Sequence, residues 1–97
     1  MHKVALLAIL EVKAGKQEEL AAFLKSALPL AVQEPATVSW FSFRIDSSRF
    51  GIFDTFADEP GRNAHLNGEI AKALFARAGE LLASPPQIEK PEILAAK

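Results

Sequence analysis

Seven consecutive apolar residues, Val4-Ala5-Leu6-Leu7-Ala8-Ile9-Leu10, place the strongest constraint on the fold. The run is far too short to span a bilayer, and Glu11-Val12-Lys13 follows it directly. In a β-strand successive side chains point to opposite faces, so a strand that is apolar at odd and even positions must be covered on both. A central strand of a sheet packed on two sides meets that demand. The basic start Met1-His2-Lys3 gives the outline of a signal peptide, but charged residues stand where a cleavage site belongs and no A-x-A site is found there. The strand reading is preferred, and with it a cytoplasmic protein.

After the turn at Ala14-Gly15-Lys16, residues 16–28 show helical spacing, with Leu20, Phe23, Leu24, Ala27 and Leu28 in one stripe. Pro29 lacks a backbone N–H and crowds the preceding turn, which predicts a kink there, helix resuming over residues 30–34 and ending at Pro35. Residues 37–45 and 50–56 are rich in β-branched and aromatic types and flank Asp46-Ser47-Ser48-Arg49, the pattern of a β-hairpin. A four-residue loop would pair Ile45 with Phe50, Phe43 with Ile52 and Phe41 with Asp54. One face then carries Phe41, Phe43, Ile45, Phe50, Ile52, Asp54 and Phe56, and the other Trp40, Ser42, Arg44, Gly51, Phe53 and Thr55. A loop of different length would exchange these partnerships. A short helix over residues 59–66 and a longer one over about 69–82 follow, the latter with Ile70, Leu74, Phe75, Ala78, Leu81 and Leu82 in its stripe. Pro85-Pro86 stops it, and residues 87–94 form a last strand whose Pro91 argues for a sheet edge.

The order strand, helix, strand, strand, helix, strand predicts an α+β ferredoxin-like βαββαβ sandwich with a four-stranded antiparallel sheet. Residues 1–97 form one domain on this reading. Its first and third strands are central and its second and fourth lie at the edges. Helices on one face leave the other bare, yet the first strand is apolar on both. A second copy packed sheet to sheet would cover it, so a homodimer is expected, with Trp40 and Phe53 at or near the interface.

Acidic and basic residues balance to a formal net charge of −1, without the basic footprint of nucleic-acid binding or a membrane-surface patch. Cysteine is absent, no pair of histidines has metal-ligand spacing, and no Gly-rich phosphate loop occurs. The residues able to do chemistry gather between positions 37 and 66. That stretch holds the single Trp (Trp40), one of two His (His65), five of seven Phe, and a carboxylate, Asp54, inside an apolar strand. Each also has a plain structural reading: Trp40 as core or interface packing, Arg44 as an ion-pair residue, Asp54 as the partner of a nearby cation, His65 as a structural side chain, His2 as a solvated one.

The sequence resembles the antibiotic biosynthesis monooxygenase family, small dimeric α+β barrels that include quinol monooxygenases. The resemblance rests on the opening strand with Ala14-Gly15-Lys16, on Pro35 and Ser39-Trp40 entering the hairpin, on Phe50-Gly51-Ile52-Phe53-Asp54-Thr55-Phe56, and on Ala64-His65-Leu66. It implies a monooxygenase without metal, flavin or haem, whose phenol or dihydroquinone substrate itself supplies the electrons to O2. Asp54 stands where many relatives have an acidic residue, and His65 fits the family's helical Ala-His-Leu. On that basis His65 and Asp54 are the candidate catalytic residues, His65 as the general base that takes the phenolic proton and Asp54 as the carboxylate that orients the imidazole and raises its pKa. Phe41, Phe43, Ile52, Phe56, Trp40 and Arg44 are the candidate substrate-binding ones. The chain departs from the family's anthrone-oxidising members at Ile52 and Phe56, where those have Asn and Trp. It departs from the haem-degrading members in lacking a first-strand Asn and in having His65 and Phe75 where those have Trp and His. Two other functions fit the same residues: isomerisation or decarboxylation of an activated aromatic acid, and non-catalytic binding of a small hydrophobic ligand by a dimeric module.

Overall fold

The computed structural model describes residues 2–97; Met1, the first residue of the basic start, lies outside the described residues. The elements are β1 (Val4–Glu11), α1 (Gln17–Ser26), α2 (Leu28–Val32), β2 (Thr37–Arg44), β3 (Arg49–Phe56), α3 (Glu59–Leu66), α4 (Glu69–Leu81) and β4 (Gln87–Glu89). The strands form one sheet in the order β2-β3-β1-β4, all neighbours antiparallel. The α+β ferredoxin-like arrangement expected from the sequence is therefore present, with β1 and β3 central.

The helices cover one face of the sheet. There Ala8, Leu10, Phe50 and Ile52 pack against Leu20, Phe23 and Leu24 of α1 and Leu74 and Leu81 of α4. The helix break falls at Ala27, two residues ahead of the expected kink, and Pro29 lies in the first turn of α2, where a missing N–H costs nothing. The last strand is shorter than expected. It pairs only over Gln87–Glu89, and Pro91 interrupts the ladder before a single bridge from Glu92 to Val4.

The hairpin register differs by one residue from the four-residue-loop expectation. Arg44 pairs with Phe50, Ser42 with Ile52, Phe41 with Phe53, and Trp40 with Asp54. The Asp46 carboxylate accepts hydrogen bonds from the backbone N–H of Ser48 and Arg49, at 3.0 and 2.9 Å, and the Ile45 N–H donates to the Arg49 carbonyl at 2.9 Å. This side-chain-closed turn draws Arg49 into the strand and shortens the loop. Because side chains alternate, the slip exchanges the faces of β2. Trp40, Ser42 and Arg44 share the helix-covered face with Asp54. Phe41 and Phe43 join Phe53, Leu7 and Ile9 on the other, where Phe41 is 57% and Phe43 36% exposed. Gly51 leaves the space that the Phe43 ring occupies across the ladder. Trp40 is accordingly packed among core residues rather than on the bare face.

Arg62 of α3 ties the sheet's N-terminal end together. Its buried guanidinium donates to the Ala5 carbonyl at 3.2 Å, to the Pro91 carbonyl at 3.4 Å and to Glu59 at 3.0 Å. Arg62→Met is expected to lower stability by about 2 kcal/mol, the scale for losing charge-assisted bonds to buried acceptors. A shift of the urea midpoint measures it.

Candidate functional site

Asp54 sits towards the C-terminal end of β3, a central strand, on the face that the helices cover, and is 1% exposed. Asp58 caps α3, its carboxylate accepting from the Gly61 N–H at 2.9 Å, and this sets the helix axis so that His65, 8% exposed, returns over the strand just left. His65 Nε2 lies 2.8 Å from Asp54 Oδ2. The carboxylate is off the line of a good hydrogen bond, so among the described residues neither Asp54 oxygen has an aligned donor. The contact is a close charge pair that leaves the carboxylate with unused accepting capacity.

The opposite ring nitrogen meets a residue that the spacing of motifs did not reveal. His65 Nδ1 is 2.6 Å from Oε1 of Glu34, and the Thr37 hydroxyl donates to the same oxygen at 2.7 Å. Glu34 lies between α2 and β2, next to Pro35, and reads in the sequence only as the end of a helix. The two residues are 31 positions apart, and their meeting depends on how α3 crosses the chain entering β2. The imidazole is thus a link between two carboxylates on opposite sides, one wholly buried and one 22% exposed.

Burial is the largest influence on Asp54 and raises its carboxyl above the ordinary value, with His65 drawing it only part of the way back. For His65, burial is again the largest single influence and disfavours the imidazolium. Asp54 and Glu34 together outweigh it, so the ring holds its proton to higher pH than an ordinary histidine. Among the described residues no group of three or more His, Asp or Glu side chains could hold a metal ion. Glu34, His65 and Asp54 stand in line with the ring between the carboxylates, rather than converging on one point.

Two spaces border the imidazole. On the Asp54 side is a cavity of about 40 Å³ lined by Leu6, Ala8, Ile52, Ile70, Leu74, Phe75 and Ile88 among others. Its exposed lining residues, Phe75 and Ile88, mark a mouth between α4 and β4. On the Glu34 side is an open cleft of about 380 Å³, lined by Leu30, Pro35, Ala36, Ala64 and Glu69 as well as Glu34 and His65.

Of the residues expected at the site, His65, Asp54 and Ile52 come together, and Phe56 packs its ring 5.5 Å from the imidazole. Phe41 and Phe43 do not belong to it, because the register places them on the far face of the sheet. Arg44 lies at the other end of β2, pairing with Glu18 at 3.3 Å and stacking over Phe50 at 4.8 Å. Trp40 is the cross-strand neighbour of Asp54, and its Nε1 is buried without a partner among the described residues. His2 is not a solvated side chain: its Nδ1 lies 2.6 Å from the Thr55 hydroxyl.

No protein-family profile matches the chain, and neither does any curated protein. Among solved structures, a protein of unknown function from Nitrosomonas europaea is 59% identical, with a TM-score of 0.98 over 100% of this chain and 94% of that one. A provisionally named antibiotic biosynthesis monooxygenase from the same organism gives a TM-score of 0.84 at 16% identity, over 96% of this chain and 91% of the other. One from Chloroflexus aurantiacus gives 0.76 at 15% identity, over 98% and 96%. The latter two likenesses establish a shared fold. The chain therefore belongs to the family of the 59% identical Nitrosomonas europaea protein, and its fold is that of the antibiotic biosynthesis monooxygenases.

Proposed function

We propose that the protein is a monooxygenase that needs no metal, flavin or haem and oxidises a small phenol or dihydroquinone with O2, Asp54 and His65 forming its acid–base pair. The observation that carries this reading is the Asp54 carboxylate, buried, without an aligned donor among the described residues, and bordering an apolar cavity beside an imidazole. A buried carboxylate with a raised pKa is a stronger base than an exposed one, and an O–H donor in the cavity would meet its unused lone pairs. Both nitrogens of His65 already face carboxylates. Asp54 is therefore the group that meets the substrate, while His65 balances its charge and shares its proton.

For a dihydroquinone the chemistry closes without any other reductant. Asp54 takes a phenolic proton, and the electron-rich anion gives electrons to O2 as a C–O bond forms at the ring. Loss of the ring hydrogen and cleavage of the O–O bond leave a hydroxyquinone, and the second oxygen departs as water. The substrate loses four electrons and O2 gains them. The dry apolar walls of Leu6, Ile52, Ile70 and Leu74 would keep the anion from bulk water. The cavity has room for about three water molecules, so binding a ring requires it to widen, and the exposed Phe75 and Ile88 are the lining side chains with room to move. Oxygen-electrode measurements with a panel of dihydroquinones test the reading, and consumption of O2 with matching product formation is the expected result. Turnover of an aromatic acid without O2 would assign an isomerase or decarboxylase instead. Binding without any turnover would leave a ligand-binding module.

We further propose a homodimer formed through the face that carries Leu7, Ile9, Phe41, Phe43 and Phe53, over which no helix lies among the described residues. Light scattering should give about twice the chain mass of 10.5 kDa, and Phe41→Glu should shift the protein to monomer. A wild type that stays monomeric at micromolar concentration would remove the proposal.

A further inference from the structure

We infer that Glu34 is the proton port of the buried pair, the group through which Asp54 and His65 exchange protons with solvent. The inference rests on the function proposed above for its catalytic consequence, and on geometry alone for the exchange itself. Exposure rises along the line Asp54, His65, Glu34, from 1% to 8% to 22%. Each step is a close contact, 2.8 Å and then 2.6 Å, across the two nitrogens of one ring. On the cavity side the pair is walled by apolar residues, whereas Glu34 borders the open cleft of about 380 Å³. Both Thr37 and His65 direct their donors at Oε1, and Oε2 makes no hydrogen bond among the described residues.

A path of this kind has a use in the proposed reaction. A hydroxyquinone is a vinylogous acid, so near neutral pH it leaves as an anion and one proton per turnover must reach water. When the ring is neutral and carries its proton on Nδ1, the proton taken by Asp54 passes across the 2.8 Å contact to Nε2, Nδ1–H passes to Glu34, and Glu34 gives its proton to water in the cleft. No bond other than these N–H and O–H bonds forms or breaks. The charged groups facing His65 are Asp54 from β3 and Glu34 from the segment after α2, with Glu69 at the start of α4 on the rim of the same cleft. On α3 itself Glu59 is paired with Arg62.

Glu34→Gln keeps the shape and the capacity to accept from Thr37 and His65 but cannot carry a proton. NMR of the nitrogen-labelled protein, without substrate, should show exchange of the His65 Nδ1–H with water slowed by about tenfold or more. Formate, small enough for the cleft, should restore it. With an oxidisable dihydroquinone, turnover should fall by about 10²-fold, the low end for a proton-transfer group, and rise again with formate concentration. A residue that merely holds the ring in place would not be rescued by a diffusing acid. Unchanged Nδ1–H exchange in Glu34→Gln, or slowed exchange that formate leaves unaltered, would overturn the inference. If exchange slows and formate restores it while wild type oxidises no dihydroquinone, the port stands and the proposed reaction falls.

Discussion

Replacing His65 with alanine is expected to cost about 3–5 kcal/mol of folding stability near neutral pH, the scale for stripping one partner from a buried charge pair. The loss arises because Asp54, 1% exposed, would have no cation beside it and must either hold an unpaired buried charge or take up a proton. The defect should depend on pH in a definite direction. Burial already raises the Asp54 carboxyl, and the imidazole is what lowers it, so removing the ring moves it further up. A group with a raised folded pKa stabilises the fold below its unfolded value, and that contribution is lost as pH rises through the folded value. The alanine variant should therefore regain stability as the solution is acidified and Asp54 protonates. Wild type carries the same sign at a later window. His65 is raised above its ordinary 6.5, so its contribution is complete below that value and declines as pH rises beyond it. Urea midpoints at about pH 5 and about pH 8 for both proteins measure the two slopes. Equal midpoints for wild type and His65→Ala at neutral pH would show that the pair is not the buried ion pair described.

The second large effect is on catalysis. Asp54→Asn keeps the volume of the side chain and removes its basicity. It is expected to lower dihydroquinone turnover by on the order of 10²–10⁴, the usual range for a general base. The same change removes the unfavourable burial of a carboxylate, and His65 keeps Glu34 on its other nitrogen, so the loss of stability should be smaller than that of His65→Ala. A drop in turnover far larger than the shift of the urea midpoint can explain separates chemistry from folding. Asp54→Glu offers a finer measure: the carboxylate is retained but reaches about one bond further into a space of about 40 Å³, and partial activity is expected.

The order of elements and the central position of β1 could be read from the chain because they rest on local signals: a doubly apolar run, two helical stripes and prolines at the breaks. The Asp54–His65 meeting was legible for the same reason, since α3 follows β3 after two residues. The side-chain partners of β2 were not, because register hangs on whether Arg49 belongs to the turn or the strand. The Asp46 carboxylate decides that by hydrogen bonds of 3.0 and 2.9 Å to the backbone N–H groups of Ser48 and Arg49. One residue of slip carried Phe41 and Phe43 to the far face and turned Trp40 inward. Glu34 left no trace in any motif. A Glu before a Pro at a helix end is ordinary, and its role appears only when two segments 31 residues apart are folded against each other.

Turnover of a dihydroquinone under heavy dioxygen (¹⁸O₂), with mass analysis of product and water, tests the central claim most directly. The account predicts one labelled oxygen in the hydroxyquinone and one in water, with turnover nearly abolished in Asp54→Asn. Product without label, or label incorporated as fast by Asp54→Asn as by wild type, would contradict it.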